Sequence, residues 1–270
     1  MRRLAIIAGA GDLPKRIALY CQEHDIDAII LSFHGNTRED IDGFPHFSFA
    51  IEKFQPIISC LQAQNITDVV MAGAIKRPSL WALRLDAMAL RAVAHALTRG
   101  DDHLLRTIAN FLESEAGVRV AGIGDYLPAF ELPLGSLGCH APDADAKTDI
   151  ARANNILKRL AKADVGQAVA VQQGLILGIE TIEGTDVMIA RAGTLKRDGP
   201  GPILVKMPKT GQDRRFDLPT VGVDTIKNCQ KAGFQGVCIA RRDMVILDHD
   251  VLVAQANADD MFLWVQENLS

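Results

Sequence analysis

The chain has 270 residues, of which 48% are hydrophobic and 23% are charged, and its formal net charge is −4. This length allows one large domain or two ordinary ones, two being favoured, and the composition is typical of soluble globular proteins. The negative charge disfavours a general nucleic-acid-binding protein. Five cysteines without a CxxC spacing favour a reducing compartment, so we expect a cytoplasmic protein.

Residues 1–130 alternate short apolar runs with amphipathic stretches, a pattern typical of a parallel sheet with crossover helices. The predicted strands are residues 4–8, 28–33, 69–72 and 119–123, and the predicted helices are residues 17–23, 57–64, 80–97 and 104–114. This region is therefore predicted to be a Rossmann-like domain.

Residues 131–147 are rich in Pro, Gly and Asp and are predicted to link two domains. In residues 148–270 the predicted helices are 149–163, one from Thr185, 225–232 and a closing helix at 251–269. The predicted strands there are 168–182, 203–207 and a hairpin or pair within 237–247. The second half is thus predicted to be a distinct α/β domain.

Two loops of the first half carry groups that suit an anion. Gly9 and Gly11 follow the first predicted strand, where glycine lets backbone amides approach a phosphate, although a plain tight turn is the alternative. Pro14 stands where the dinucleotide fingerprint requires glycine, which disfavours NAD or FAD. Lys76 and Arg77 follow another strand and suit an anion, or form a solvated loop.

Two segments place acidic or hydroxyl groups at predicted helix starts. Asp101 and Asp102 are either helix caps or groups that orient a substrate or a metal-bound water. Thr185 and Asp186 follow a strand and begin a helix, where they either cap the helix or help bind a phosphate.

The densest group of charged residues lies between residues 206 and 225. It combines carboxylates, basic groups and a Pro-Thr-x-Gly turn, and it includes Lys206, Asp213, Arg215, Asp217, Thr220 and Asp224. Phosphoryl transfer uses such a mixture, because oxygen ligands hold Mg²⁺ while cations offset phosphate charge. A charged surface loop is the alternative, since exposed ion pairs contribute little energy.

The ordered set AGAGDLP, GAIKRP, GDDHLLR, IEGTD and DRRFDLPTVG resembles the LpxI-type UDP-2,3-diacylglucosamine hydrolases of Gram-negative bacteria, over residues 4–255. The resemblance implies Mg²⁺-dependent cleavage of the substrate pyrophosphate, with Mn²⁺ as an alternative ion. The products would be UMP and 2,3-diacylglucosamine 1-phosphate (lipid X), in lipid A biosynthesis. It also implies a Rossmann-like amino domain, an α/β carboxyl domain and a homodimer. No apolar run reaches the roughly 18 residues that a membrane span requires, so we expect any contact of this cytoplasmic protein with the inner membrane to be peripheral.

Most candidate residues fall on the motifs of this resemblance, and the chemistry of each side chain gives its expected role. The expected catalytic residues are Asp224, Lys206 and Arg215, with Asp224 the strongest. The expected substrate-binding residues are Gly9, Gly11, Lys76, Arg77, Thr185, Asp186 and Thr220. The expected metal ligands are Asp224, Asp217 and Asp213.

Two other functions compete with hydrolysis. The amino-terminal glycines allow a Rossmann-type oxidoreductase acting on a nucleotide sugar, which would bind NAD(H) tightly. A sensor of nucleotide-linked lipids would bind UDP-diacylglucosamine and leave it intact. Tight NAD(H) binding would identify the first, and recovery of uncleaved ligand would identify the second.

Overall fold

A computed structural model describes residues 2–35, 37, 41, 43–73, 75, 86, 88, 101–127, 131–209, 213, 215 and 218–269, apart from the side chains of Asp101 and Asp102. The chain forms two compact units. The amino unit comprises Met1–Pro128 and Asp213–Asp217, and the carboxyl unit comprises Ala129–Gln212 and Leu218–Ser270. Within the described ranges, no helix combines the length and apolar character needed to cross a membrane.

The amino unit is built on a five-stranded parallel sheet in the order β3-β2-β1-β4-β5. Its strands are β1 (Arg3–Ala8), β2 (Asp27–Phe33), β3 (His46–Phe49), β4 (Asp68–Ala72) and β5 (Arg119–Ala121). Its helices are α1 (Leu13–Glu23), α2 (Phe54–Ala63), α3 (Asp101–Ala116) and a 3₁₀ turn at Ile123–Asp125. β1, β2 and β4 are almost wholly buried, as expected for parallel strands covered on both faces.

The carboxyl unit is built on a six-stranded mixed sheet in the order β6-β13-β11-β9-β7-β8. These strands are β6 (Gly135–Ser136), β7 (Ala168–Gln172), β8 (Leu175–Ile179), β9 (Ile203–Lys206), β11 (Gly236–Ala240) and β13 (Phe262–Gln266). A separate parallel pair consists of β10 (Thr220–Val221) and β12 (Val245–Ile246). The helices are α4 (Ala144–Lys162), α5 (Thr185–Gly193), α6 (Val223–Lys231) and α7 (His249–Ala258).

The predicted α/β fold class is confirmed, with a parallel Rossmann-like sheet and a separate mixed sheet. The predicted linker at 131–147 contains β6 and the start of α4, and Leu132 is buried in the core of the carboxyl unit. The predicted helix at 80–97 lies outside the described residues except at Asp86 and Met88.

The predicted single strand at 168–182 is wrong, because the chain turns back at Gln173 and Gly174, where φ is +51° and +74°. The carboxylate of Asp149 accepts hydrogen bonds from both turn amides, at 2.7 Å and 2.6 Å. One buried side chain therefore fixes the turn between β7 and β8.

The predicted closing helix at 251–269 is also wrong, since α7 ends at Ala258 and the chain then forms β13. Asp260 takes a φ of +53°, which is not helical, and the run after it pairs in parallel with β11. Residues 237–247 contain two strands, β11 and β12, which is one of the two predicted alternatives; the other, a hairpin, is wrong, because the two strands belong to different sheets.

Candidate functional site

Three strands of the carboxyl unit bring polar groups to one edge of its sheet. Lys206, the last residue of β9, pairs in register with Ala168, the first residue of β7. Glu180 directly follows β8, and its amide donates to the carbonyl of Ala168 at 2.9 Å. Because β7 lies between β8 and β9 and runs antiparallel to both, the carboxyl ends of β8 and β9 lie at the same end of the sheet, on either side of the start of β7.

A chain of hydrogen bonds joins these residues. The Nζ atom of Lys206 donates to Oγ1 of Thr185 at 2.9 Å and to the carbonyl of Thr220 at 3.0 Å. The hydroxyl of Thr185 donates in turn to Oε1 of Glu180. Oε2 of Glu180 accepts from the amide of Gln167 at 3.0 Å. The edge therefore holds a connected carboxylate, hydroxyl and ammonium.

The two charged residues joined by these hydrogen bonds are largely removed from water, since Lys206 is 7% exposed and Glu180 is 8% exposed. Burying a charge is costly unless it is paired and hydrogen-bonded, and the hydroxyl of Thr185 connects the two opposite charges. The loop before β7 must lie very close to Glu180 for the Gln167 amide to bond to its carboxylate. A Cβ atom on Gly166, which has a φ of +52°, would lie 2.0 Å from the carbonyl oxygen of Glu180.

Two helices begin next to this chain of hydrogen bonds. Thr185 is the first residue of α5, and Thr220 lies three residues before Val223, where α6 begins. The first amides of a helix lack intrahelical partners and carry partial positive charge, so helix starts favour anions. The ammonium and the two helix starts together form a site suited to a phosphate.

Asp186 and Asp224 lie in the first turns of α5 and α6, and both are exposed. The amide Nδ2 of Asn228 donates to Oδ1 of Asp186 at 3.0 Å. Asp224 is one turn before Asn228 on the same face of α6, since helical residues four apart are neighbours. Asp186 therefore contacts the face of α6 that carries Asp224.

Asp224 is not the cap of its helix. Gly222 is the N-cap residue, and its amide contacts Oγ1 of Thr225 at 3.4 Å. Asp224 is the second helical residue, where a carboxylate stabilises the helix only through the helix dipole, by about 0.3–1 kcal/mol.

The carboxylates of this region suit a magnesium ion that is shared with substrate phosphates, and not one that is held by protein side chains alone. Among the described residues, no three His, Cys, Asp or Glu side chains are grouped to hold a metal ion. Mg²⁺ is, however, commonly held by one or two carboxylates together with substrate phosphates. Asp186 and Asp224 are exposed carboxylates of the kind that this mode uses.

Asp213 and Arg215 belong to the amino unit. The guanidinium of Arg215 contacts both carboxylate oxygens of Asp213, at 2.8–3.2 Å, and Oε1 of Glu113 at 3.4 Å. The hydrogen bonds from Arg215 hold the pKa of Asp213 below its usual value, and that carboxylate in turn raises the pKa of Arg215. Asp217 lies outside the described residues.

The glycine loop of the amino unit lies at the carboxyl ends of β1 and β4. The amide of Gly9 donates to the carbonyl of Ala72 at 2.7 Å, so this amide is engaged within the protein. Gly11 has a φ of +94°. A Cβ on Gly73 would lie 2.5 Å from the carbonyl of Ala10, so glycine allows the loops to meet. Lys76 and Arg77 lie outside the described residues.

Glu180 is not among the site residues predicted from the sequence. It belongs to no motif, and its position beside Thr185 depends on the pairing of β8 with β7, which the sequence does not predict. The available signal was a charged residue directly after an apolar run, two residues before the IEGTD segment.

Comparison with known proteins identifies the family. Family models for the LpxI N-terminal domain and the LpxI C-terminal domain match residues 3–130 and 133–264. UDP-2,3-diacylglucosamine pyrophosphatase LpxI from Caulobacter vibrioides is 32% identical over 274 residues, covering 98% of this chain and 97% of that protein. The solved structure of CobK precorrin-6A reductase covers 100% of this chain and 89% of its own, with a TM-score of 0.33 and 10% identity, too low to carry an argument. The chain described here belongs to the LpxI family.

Proposed function

We propose that this protein hydrolyses the pyrophosphate of UDP-2,3-diacylglucosamine to UMP and 2,3-diacylglucosamine 1-phosphate, a step of lipid A biosynthesis. The Caulobacter relative, which aligns over nearly the whole chain, is named as a UDP-2,3-diacylglucosamine pyrophosphatase. The observation that carries the proposal is the Lys206 ammonium, held between the starts of α5 and α6.

Lys206 would bind a phosphate oxygen through its third N–H group. An ammonium has three donors, and two of them bond to Thr185 and Thr220. Among the described residues, no carboxylate forms a salt bridge with Lys206, and both of its hydrogen-bond acceptors, the Thr185 hydroxyl and the Thr220 carbonyl, are neutral. A phosphate oxygen placed there gains a charge-assisted hydrogen bond whose strength grows as negative charge develops.

Asp186 and Asp224 would hold Mg²⁺, or Mn²⁺ in its place, together with the substrate phosphates. When bound, the ion would polarise a phosphate oxygen and lower the pKa of the attacking water. The Asp224 carboxylate would also orient this water and accept its proton. Asn228 would keep Asp186 in place through its 3.0 Å hydrogen bond.

The amino unit would contribute to substrate binding through the Gly11 turn and through Lys76 and Arg77. Because the Gly9 amide is engaged by Ala72, Gly9 would contribute by close backbone approach and not as a donor. Arg215 would bind a phosphate by exchanging its contact with Glu113 while Asp213 keeps the rest of the guanidinium in place. A homodimer, cytoplasmic location and peripheral contact with the inner membrane stay predictions.

The proposal is tested by incubating the full-length protein with UDP-2,3-diacylglucosamine and Mg²⁺ and identifying the products by mass spectrometry. We expect UMP and 2,3-diacylglucosamine 1-phosphate in equal amounts. Recovery of the intact substrate in complex with the protein would identify a sensor and contradict hydrolysis.

A further inference from the structure

We propose that Glu180 is a positioning residue, which acts through Thr185 to direct the Lys206 ammonium at the substrate phosphate. The inference rests on the proposed function and adds a residue to it. It is carried by the continuous hydrogen bonds from Gln167 through Glu180 and Thr185 to Lys206.

The donors and acceptors in this series of hydrogen bonds allow only one placement of the protons. An ammonium has no lone pair, so Lys206 must donate to Thr185, and the single hydroxyl proton of Thr185 must then go to Glu180. Glu180 thereby fixes the rotation of the hydroxyl and presents its lone pair to Lys206. Because the carbonyl of Thr220 accepts a second N–H of Lys206, the third N–H points in a defined direction.

Glu180 is itself held firmly. Its backbone amide donates to Ala168 at 2.9 Å, and its Oε2 atom accepts from the amide of Gln167 at 3.0 Å. Gly166 packs directly against its carbonyl, where a side chain would not fit. Because backbone groups fix this carboxylate, it can orient the more flexible lysine side chain through Thr185.

Glu180→Gln is a specific test, because it keeps the shape of the side chain and reverses the direction of its hydrogen bond with Thr185. The Gln167 amide is a fixed donor and requires the oxygen of the new side chain, so the NH₂ group would face Thr185. Thr185 would then accept from two donors, and its own proton would turn away. We expect kcat/KM to fall about 10- to 100-fold, the range for losing a hydrogen bond to a charged group.

The decisive measurement is a double-mutant cycle with Lys206→Met, using steady-state rates. If Glu180 acts through Lys206, Glu180→Gln should change the residual rate of Lys206→Met by less than about 2-fold. An equal loss in both backgrounds, or a folded Glu180→Gln protein with wild-type turnover, would overturn the inference. Should Glu180→Gln fail to fold, Thr185→Val takes its place in the cycle with the same two outcomes, and Thr185→Ser should restore activity.

Asp149→Asn provides a matched control in the same unit. Asp149 is also a buried carboxylate, but the two groups that donate to it are the amides of Gln173 and Gly174, whereas Glu180 accepts from Thr185. The turn held by Asp149 lies at the opposite end of the β7–β8 pair from Glu180, which the strand pairing, Ala168 and Gln167 keep in place. This variant should therefore lower the melting temperature and leave kcat/KM unchanged. A loss of turnover equal to that of Glu180→Gln would show a general structural effect and overturn the positioning role.

A readout without substrate separates this inference from the proposed function. The wild-type Lys206 ammonium should give a slowly exchanging ¹⁵Nζ signal in NMR spectra, identified by its absence in Lys206→Met. The signal should disappear in Glu180→Gln and persist in Asp149→Asn. If the wild type does not hydrolyse the substrate, the proposed function is wrong, and this signal still decides: its persistence in Glu180→Gln overturns the positioning role.

Discussion

The Nζ atom of Lys206 lies 2.9 Å from Oγ1 of Thr185, so the last residue of β9 is bonded to the first residue of α5. This contact joins the buried cation of the carboxyl unit to a helix start. A cation and helix amides in one place attract a phosphate from two directions. The arrangement therefore gives specific expectations for individual side chains.

Asp224→Asn should lower turnover about 100-fold or more, because the amide cannot accept a proton and binds a cation poorly. Folding stability should change by less than about 1 kcal/mol, since Asp224 contributes only through the helix dipole. Asp145→Asn is the control, because Asp145 is also the second residue of its helix and is exposed. Turnover rates and thermal melts of both variants decide; a folded Asp224→Asn protein with wild-type turnover would leave only the dipole role.

The proposed metal pair predicts a changed magnesium requirement. EDTA should abolish turnover, and Mg²⁺ or Mn²⁺ should restore it. Asp186→Asn should raise the Mg²⁺ concentration for half-maximal rate about 10-fold or more, and Asn228→Ala should shift it in the same direction. A magnesium titration of the rate measures this, with Asp145→Asn again as control. An unchanged midpoint in Asp186→Asn would remove Asp186 from the metal site.

Asp68 should make the amino unit sensitive to acid. Burial would raise the pKa of this carboxyl, which is 3% exposed, but hydrogen bonds from Thr67 and Arg119 outweigh burial and lower it. Since the folded pKa is depressed, this stabilisation is present above the unfolded pKa of about 3.9 and is lost as pH falls through the folded value.

Asp68→Asn should therefore cost about 1.5–3 kcal/mol of unfolding free energy at pH 7, the range for a hydrogen bond to a charged group. The difference from wild type should shrink below about pH 4. Asp125→Asn removes only a 3.3 Å exposed contact with Arg119 and should cost less than about 1 kcal/mol. Urea titrations across pH measure both; a difference independent of pH would contradict the role of the charge.

The sequence predicts most of the amino unit because its strands are buried, β-branched runs separated by helical periods. It does not predict where β7 ends, because the turn residues Gln173 and Gly174 lie inside one apolar stretch. It also misses β13, whose run Met261–Val265 is apolar without a helical period and follows the turn at Asp260. Local pattern alone does not separate a buried strand from a buried helix.

The candidate site shows the same division. Thr185 follows from a strand-to-helix motif, and Lys206 follows from the dense group of charged residues between 206 and 225. Glu180 does not, since only the pairing of β8 with β7 brings it beside Thr185. Arg215 was grouped with Lys206 because the two are close in sequence, whereas the fold assigns them to different units.

Stabilisation of the substrate pyrophosphate by Lys206 is measured by the steady-state kinetics of Lys206→Met with UDP-2,3-diacylglucosamine. We expect kcat/KM to fall about 100- to 1,000-fold, the usual cost of losing one donor that stabilises developing charge. Lys147→Met, which removes an ammonium lying 5.2 Å from the Trp264 ring of the same unit, should keep wild-type kinetics. A folded Lys206→Met protein with wild-type kcat/KM would contradict the account.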